Sequence, residues 1–401
     1  MDQMRCVFGI DVSRSSLNVA VVDNQNLVLE DKMALDLIGL TKLKELLDHY
    51  RDPEVIFEAT GVYSRRLEHF LRQNEYHYVC LNPLAARIKM ASFRPFKTDR
   101  NDARELAMVQ AINPARFTYQ EDRVYQNLRD LHRFYQNVTT DVARNKNRLH
   151  KLLQLTFPEI ERVLSTTSGQ LYWTLVNQYP HPGLVKASSH EMIVQVITKA
   201  KTGPINATSL AEKLISLAQT AYPAVDVDSL RLEETRYLAT ELMKKTELKA
   251  KLIGQMVELA QSLPEFRAIM SIPGIAETTA VGIIAEFGDI RLFKSSNAMN
   301  SYVGIGFNHY ESGQYVQRDT ISKRGNAIAR KILYKTVLNC VSVAHYRPNH
   351  LADFYNERKR RSPQPQTKKI AIATMHRLIR TIHHLVKNDQ LYDYQIAKRI
   401  H

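Results

Sequence analysis

The chain has 401 residues, 44% hydrophobic and 24% charged, enough for two or three domains and ordinary for a soluble globular protein. Lys and Arg outnumber Asp and Glu by 55 to 41, a formal net charge of +14, which favours a polyanionic partner because each neutralised phosphate releases counterions. Cys6, Cys80 and Cys340 are too widely spaced for a zinc knuckle or disulfide framework, and no long apolar run opens the chain, so a cytoplasmic protein without a membrane span is expected.

In chain order, RCVFGIDV, LNVAVVD and NLVLED are β-branched runs with tight polar connections, and they predict an opening three-stranded meander. LIGLTKLKELLDHY predicts an amphipathic helix, EVIFEA a buried strand, YSRRLEHFLRQ a second helix and HYVCLN a further strand. Together they describe an α/β domain with a mixed sheet over residues 1–118.

Residues 119–263 change character. Leu128, Leu131, Tyr135, Val138, Val142, Asn145, Leu149 and Leu152 alternate spacings of three and four, a heptad seam that predicts a long coiled-coil-like helix. Leu252, Met256, Leu259 and Leu263 repeat that spacing in a second long helix over about 230–263. The two helices pair with each other or across a dimer. The segment between them, 165–227, reads as a mixed insertion broken at YPHPG and KTGP. Residues 264–401 form a third unit with a basic loop, ERKRRSPQPQTKK, and a helical C-terminus. Its stretch MSIPGIAETTAVGIIAEFGD is broken by Pro273, Glu277 and Glu286, which argues against a membrane span.

Four carboxylates of the first domain are candidates for cation binding. Asp11 ends the first strand and Glu58 ends the strand EVIFEA; if these strands are neighbours, both side chains emerge at one sheet edge. Asp99 and Asp102, three apart in FKTDRNDARELA, share one helical face. Hard carboxylate oxygens suit two Mg²⁺ ions clamping a phosphodiester, although acids at strand ends and helix starts are also common as turn and cap residues.

In the third unit, Pro-Gly-Ile around Gly274 followed by a Thr-capped helix resembles a helix-hairpin-helix, where glycine lets backbone N–H groups approach phosphate. Glu311-Ser312-Gly313-Gln314 predicts a hairpin turn with Ser312 at its tip, near Lys323, Arg324 and Arg330. A serine so placed could attack a phosphodiester while the cations stabilise the developing charge, but Ser-Gly is equally a routine turn dipeptide. Arg94 and Lys97 in ARIKMASFRPFK, Arg144, Lys146 and Arg148, and Arg358, Arg360 and Arg361 are further candidates for phosphate contact.

GIDVSRSSLNVAVVD, EATGVYSRRLEHFL and KTDRNDARELA resemble the three acidic motifs of the DEDD transposases of insertion sequences, relatives of the pilin-gene inverting recombinase. SIPGIAETTAVGIIAEFGDIRLF, SYVGIGFNHYESG and ISKRGNAIARKIL are similar to that family's C-terminal domain. The resemblance implies a RuvC-like (RNase H-like) N-terminal domain, a coiled-coil connection and a small, mainly α C-terminal domain. It implies Asp11, Glu58, Asp99 and Asp102 as Mg²⁺ ligands and Ser312 as a nucleophile forming a phosphoserine link to DNA, with Ser322 second in line. It further implies donor and target DNA as partners, an element-encoded noncoding bridge RNA that pairs with both, and a homodimer or homotetramer. The segment 165–227 departs from the compact members. Three rivals stay open: a Holliday-junction-type nuclease without a covalent intermediate, an actin-like ATPase, and a non-catalytic RNA-binding protein.

Overall fold

The computed structural model describes residues 5–82, 86, 99–118, 121–200, 205–308, 311–312, 315–316, 320–361, 364 and 366–400, with 99–100, 307–308, 311–312, 315–316, 320 and 400 described by backbone alone. The stretch containing Arg94 and Lys97 lies outside these residues. The chain divides into two compact units, Met1–Gln120 and Glu121–His401.

In the first unit β1 (Cys6–Val12), β2 (Ser16–Asp23) and β3 (Asn26–Ala34) form the expected antiparallel meander. The chain then crosses through α1 (Leu37–Asp48) to β4 (Glu54–Glu58), and through α2 (Ser64–Gln73) to β5 (His77–Leu81). Both crossovers yield parallel pairing, giving a mixed five-stranded sheet in the order β3-β2-β1-β4-β5. β1 is apolar at almost every position because both its faces are covered. Phe8, Ile10 and Val12 face Leu43, Leu47, Leu67 and Leu71 of α1 and α2. Val7 lies on the other face, with Leu106 and Ala107 of α3 (Asp99–Ile112).

The second unit is built on α4 (Arg123–Thr156) and α9 (Arg231–Gln261), 34 and 31 residues long. They pack against each other within the chain. Two apolar cores sit at the two ends of this pair. Val142, Leu149 and Leu153 of α4 and Leu238 and Leu242 of α9 enclose one core with Trp173, Val185, Ile193 and Leu214. Those residues belong to α5 (Gln170–Gln178), α6 (Pro182–Lys186), α7 (His190–Ala200) and α8 (Ala207–Thr220). The segment 165–227 therefore contributes four helices that close this core against α4 and α9. The seam itself is uneven: Val138 and Val142 are buried, while Leu131, Tyr135 and Asn145 are only half-buried and His132 is buried beside them.

The other core joins Leu128, Met256 and Ala260 to α10 (Pro264–Met270), α11 (Glu277–Phe287), α12 (Ser296–Val303), α13 (Ala327–Ser342), α14 (His350–Arg361) and α15 (Thr367–Lys387). A final helix, α16, spans Tyr394–Ile400. Two expectations need correction here. The run Arg358 to Arg361 is the last turn of α14, not a loop, because Ala352 and Tyr355 on the same helix are buried. α11 is not Thr-capped: its N-cap is Ala276, with no side-chain hydrogen bond. Gly274, at φ +90°, has a packing reason for being glycine, since a Cβ there would stand 2.7 Å from the Cys340 backbone of α13. Among the described residues no helix is long and apolar enough to cross a membrane.

Candidate functional site

Register brings the first two acids together. β1 and β4 pair in parallel from Val7 opposite Glu54 to Ile10 opposite Phe57. The next position on each strand is Asp11 and Glu58, at the C-terminal edge of the sheet. Strand alternation puts Asp11 on the same face as Gly9, and Glu58 on the same face as Ile56. That face is the one α3 covers, because Ile56 packs with Leu106 and Ala107.

The direction of α3 brings the third acid to that edge. Its C-terminal end is fixed at the start of β4, where Gln110 Nε2 donates to Glu54 Oε2 at 3.1 Å and Arg5 pairs with Glu54 Oε1 at 2.6 Å. Its N-terminal end, carrying Asp99 and Asp102, therefore lies toward the strand ends. Gly9 sets the closeness of this packing: a Cβ there would stand 2.0 Å from the Ala103 carbonyl oxygen and 2.6 Å from the Ala107 nitrogen. Asp102 immediately precedes Ala103, and Asp11 lies two residues, roughly 6.6 Å, beyond Gly9 along β1.

Asp11, Glu58 and Asp102 are half-buried, and each makes polar or electrostatic contacts within the protein. Glu105, one turn beyond Asp102, was not singled out by sequence. Burial and the neighbouring Asp102 charge push its carboxyl above the usual range. Among the described residues, no three His, Cys, Asp or Glu side chains gather closely enough to cage a metal by themselves. The side chain of Asp99 falls outside that description. A hard cation such as Mg²⁺ needs less than a cage, because it keeps several waters and takes one or two carboxylates. The donor set at this edge fits that chemistry.

The serine lies in the second unit. β7 (Glu311–Ser312) pairs with β8 (Tyr315–Val316) in the register Glu311 opposite Val316 and Ser312 opposite Tyr315. Ser312 is thus the last strand residue before a two-residue connection. Around it, β6 (Phe307–Asn308) pairs with β9 (Thr320–Ile321). The following loop is bonded back onto α12's exit: Ser322 N donates to Gly306 O at 2.9 Å, Lys323 N to Gly304 O at 2.9 Å and Asn326 N to Tyr302 O at 2.8 Å.

The anchor of this loop is a group that sequence reasoning missed. Glu286, fully buried at the end of α11, accepts from Asn326 Nδ2 at 2.7 Å, hydrogen-bonds His132 Nδ1 at 3.0 Å and has Arg133 at 3.6 Å. Asn326 in turn caps α13, accepting from the Ile328 and Ala329 nitrogens at 3.0 Å each. Burial alone would push the Glu286 carboxyl up; the His132 and Asn326 hydrogen bonds and the Arg133 charge outweigh it and hold it below the usual carboxylate range.

The basic candidates divide by environment. Lys323 and Arg324 are exposed, but Arg330 is half-buried and braces the loop, donating to Val303 O at 2.6 Å. Arg144 pairs with Asp141 at 3.2 Å, Arg148 is exposed, and Lys146 is tied to Ser168 Oγ at 2.6 Å. Arg358 stacks over Phe354 at 4.7 Å, Arg361 pairs with Glu357, and Arg360 is exposed.

Two transposase families match this chain: one of the DEDD, IS110 type over residues 8–158, and one described as the IS116/IS110/IS902 family over residues 266–356. The first match holds β1 from Phe8 onward, β4 and α3; the second holds the Gly274 turn, Glu286 and the Ser312 hairpin. The chain belongs to the IS110 family of transposases. It is 23% identical over 259 residues to the insertion element IS110 uncharacterized 43.6 kDa protein of Streptomyces coelicolor, covering 61% of each chain. It is 30% identical over 96 residues to the transposase for insertion sequence element IS1111A of Coxiella burnetii, covering 24% of this chain and 26% of that protein. The IS110-family matches leave residues 159–265 uncovered, the stretch that holds α5 to α8 and all of α9.

Proposed function

We propose that this chain is a DNA transposase that cuts and rejoins strands through Ser312, supported by an RNase H-like acidic site made of Asp11, Glu58, Asp102 and Asp99. The observation that carries the reading is the continued β1–β4 register, which leaves Asp11 beside Glu58 at the edge where α3 begins. Two carboxylates at neighbouring strand ends repel each other, a cost that a bound divalent cation would offset. A divalent cation held there would neutralise charge at a scissile phosphate.

The serine chemistry balances without an outside energy source. Ser312 Oγ attacks phosphorus, forming a phosphoserine ester as the bond from phosphorus to one DNA oxygen breaks, and the hydroxyl proton passes to the released DNA hydroxyl. A hydroxyl on the new strand then attacks the same phosphorus and restores the serine. Lys323 and Arg324, exposed on the loop that follows, offer positive charge to the phosphoryl oxygens. The excess of basic residues supports DNA as substrate and is compatible with an element-encoded noncoding guide RNA, as the family resemblance implies. Such an enzyme would act as a dimer or tetramer, since two DNA partners must be exchanged.

The test is adduct formation on DNA carrying the element's ends. Wild-type protein should form a covalent protein–DNA species that Ser312→Ala abolishes while DNA affinity stays the same. Cleavage without any adduct would instead favour a Holliday-junction-type nuclease. Sequencing of RNA that copurifies with the protein, expressed beside its native flanking DNA, tests the guide: recovery of one element-encoded transcript supports it, and only random cellular RNA contradicts it.

A further inference from the structure

Between the two apolar cores of the second unit, α4 and α9 are joined by polar contacts. Asp141 of α4 stands 3.2 Å from Arg144 and 3.6 Å from Lys245 of α9, and Lys245 also reaches Glu241 at 3.9 Å. Basic groups here are thus partly neutralised in the usual surface manner. Lys146 and Lys249 are not: among the described residues neither has a carboxylate within ion-pair distance.

Both are half-buried and held in place. Lys146 Nζ donates to Ser168 Oγ at 2.6 Å and lies 5.6 Å from the centre of the Trp173 ring, which is 2% exposed. Lys249 Nζ lies 5.4 Å from the centre of the Tyr135 ring. Burial and the adjacent Lys146 charge push the Lys249 ammonium below its ordinary range, as expected for two like charges side by side. Aromatic faces attract ammonium groups by only about 0.5–2 kcal/mol and carry no countercharge. A purely structural position would be better filled by an apolar side chain, or by one lysine paired with a carboxylate. Among the described residues no carboxylate balances the two ammonium groups, and a phosphate would supply that charge. Arg144, Arg148, Lys244 and Lys251 are exposed on the same stretch of the two helices, which suits a polymer presenting successive phosphates better than a small ion.

We propose that Lys146 and Lys249, with Ser168 fixing the first of them, seat the phosphodiester backbone of a nucleic acid on the paired helices α4 and α9, through residues separate from Ser312 and the acidic edge. The proposal rests on the nucleic-acid-binding reading above and extends it to a place outside both chemical elements. Lys249 and Ser168 are new to that reading, and the seat holds backbone rather than reading bases.

The experiment measures binding of a mixed-sequence DNA duplex and a mixed-sequence RNA hairpin across a salt series, with full-length wild type and Lys146→Met/Lys249→Met. Methionine keeps the alkyl stem over each ring. The double variant should lower the slope of log affinity against log salt by about 1–2, roughly 0.9 per lost duplex phosphate contact, with thermal stability of the free protein unchanged or raised. A loss confined to one probe assigns the seat to that polymer; an equal loss on both assigns it to either backbone. Single variants guard against misfolding: Lys249→Gln should lose about one unit of slope and Lys249→Arg should keep it. Unchanged slope and affinity on both probes, or a lowered melting temperature with unchanged binding, would overturn the seat. Wild-type protein binding neither probe would overturn the nucleic-acid reading itself, a different result.

Discussion

In the first unit, Asp11 and Glu58 stand where backbone hydrogen bonds leave them little choice. Two buried parallel strands end at the same level, and α3 is drawn onto them at Gly9. In the second unit, Ser312 sits on a hairpin whose two ladders are each two residues long, and the loop behind it adds to its backbone bonds two side-chain anchors, Asn326 on Glu286 and Arg330 on Val303. A sheet edge tolerates change in the side chains it displays, because register is a property of the whole strand. A loop whose anchors include a fully buried carboxylate tolerates less. Substitutions of the acids themselves should therefore damage chemistry while sparing the fold, and mutations beneath the serine loop should damage both.

The largest effect sharpens the second half of that contrast. Glu286→Ala leaves His132 and Arg133 facing an empty, buried position, and chemical denaturation should show a loss of about 3–5 kcal/mol. Glu286→Gln keeps the shape and should lose less, about 1–3 kcal/mol. Because the Glu286 carboxyl is held below its ordinary value of 4.5, its contribution is complete above that pH and disappears as pH falls through the lower folded value. The gap in stability between wild type and Glu286→Gln should accordingly narrow below about pH 4.5; a gap constant down to the acid limit would show that Glu286 is not ionised in the fold.

Gly9→Ala tests the other half. Its methyl group would press on the α3 backbone, and overpacking of this kind destabilises by about 3 kcal/mol, read as a fall in melting temperature confined to the first unit's transition. Melting unchanged from wild type would mean α3 is not pinned where it is. Asp11→Asn should leave melting alone and reduce metal-dependent strand cleavage by at least about 100-fold, since losing even an outer partner of a metal ligand has effects of 10–100-fold. Equal activity in both proteins would remove the acid from the mechanism. The smallest effect is expected at Ser322→Ala: the Ser322 backbone nitrogen, not its hydroxyl, makes the bond to Gly306, so adduct yield should match wild type. Adducts lost there but kept in Ser312→Ala would exchange the two serines.

Sequence alone foretold the first unit well, and the physical reason is local. β1 to β3 and α1 alternate with turn signals a few residues apart, so the strands, their order of appearance and the strand-end position of both acids could be read from neighbouring residues. The second unit was less legible where contacts are distant. Glu286 read only as an interruption of an apolar stretch, because its partners His132 and Asn326 lie 154 and 40 residues away. Gly274 was legible as a turn glycine, but its close packing on the α13 backbone was not, because Cys340 is far along the chain. Residues 165–227 were opaque because their apolar positions are shared among four short helices, none of which shows a long period of its own. The heptad seam predicted the length of α4 correctly, but pairing within the chain is decided by α9, not by the seam.

The claim on which the account rests is that Asp11 and Glu58 jointly hold a divalent cation at the end of β1 and β4. A crystal of the full-length protein soaked in Mn²⁺, with data collected at the manganese absorption edge, tests it most directly. The account predicts an anomalous peak between the two carboxylates, at about 2.0–2.3 Å from an oxygen of each, that is lost in Asp11→Asn. No peak there, at Mn²⁺ concentrations that support strand cleavage in solution, would contradict it.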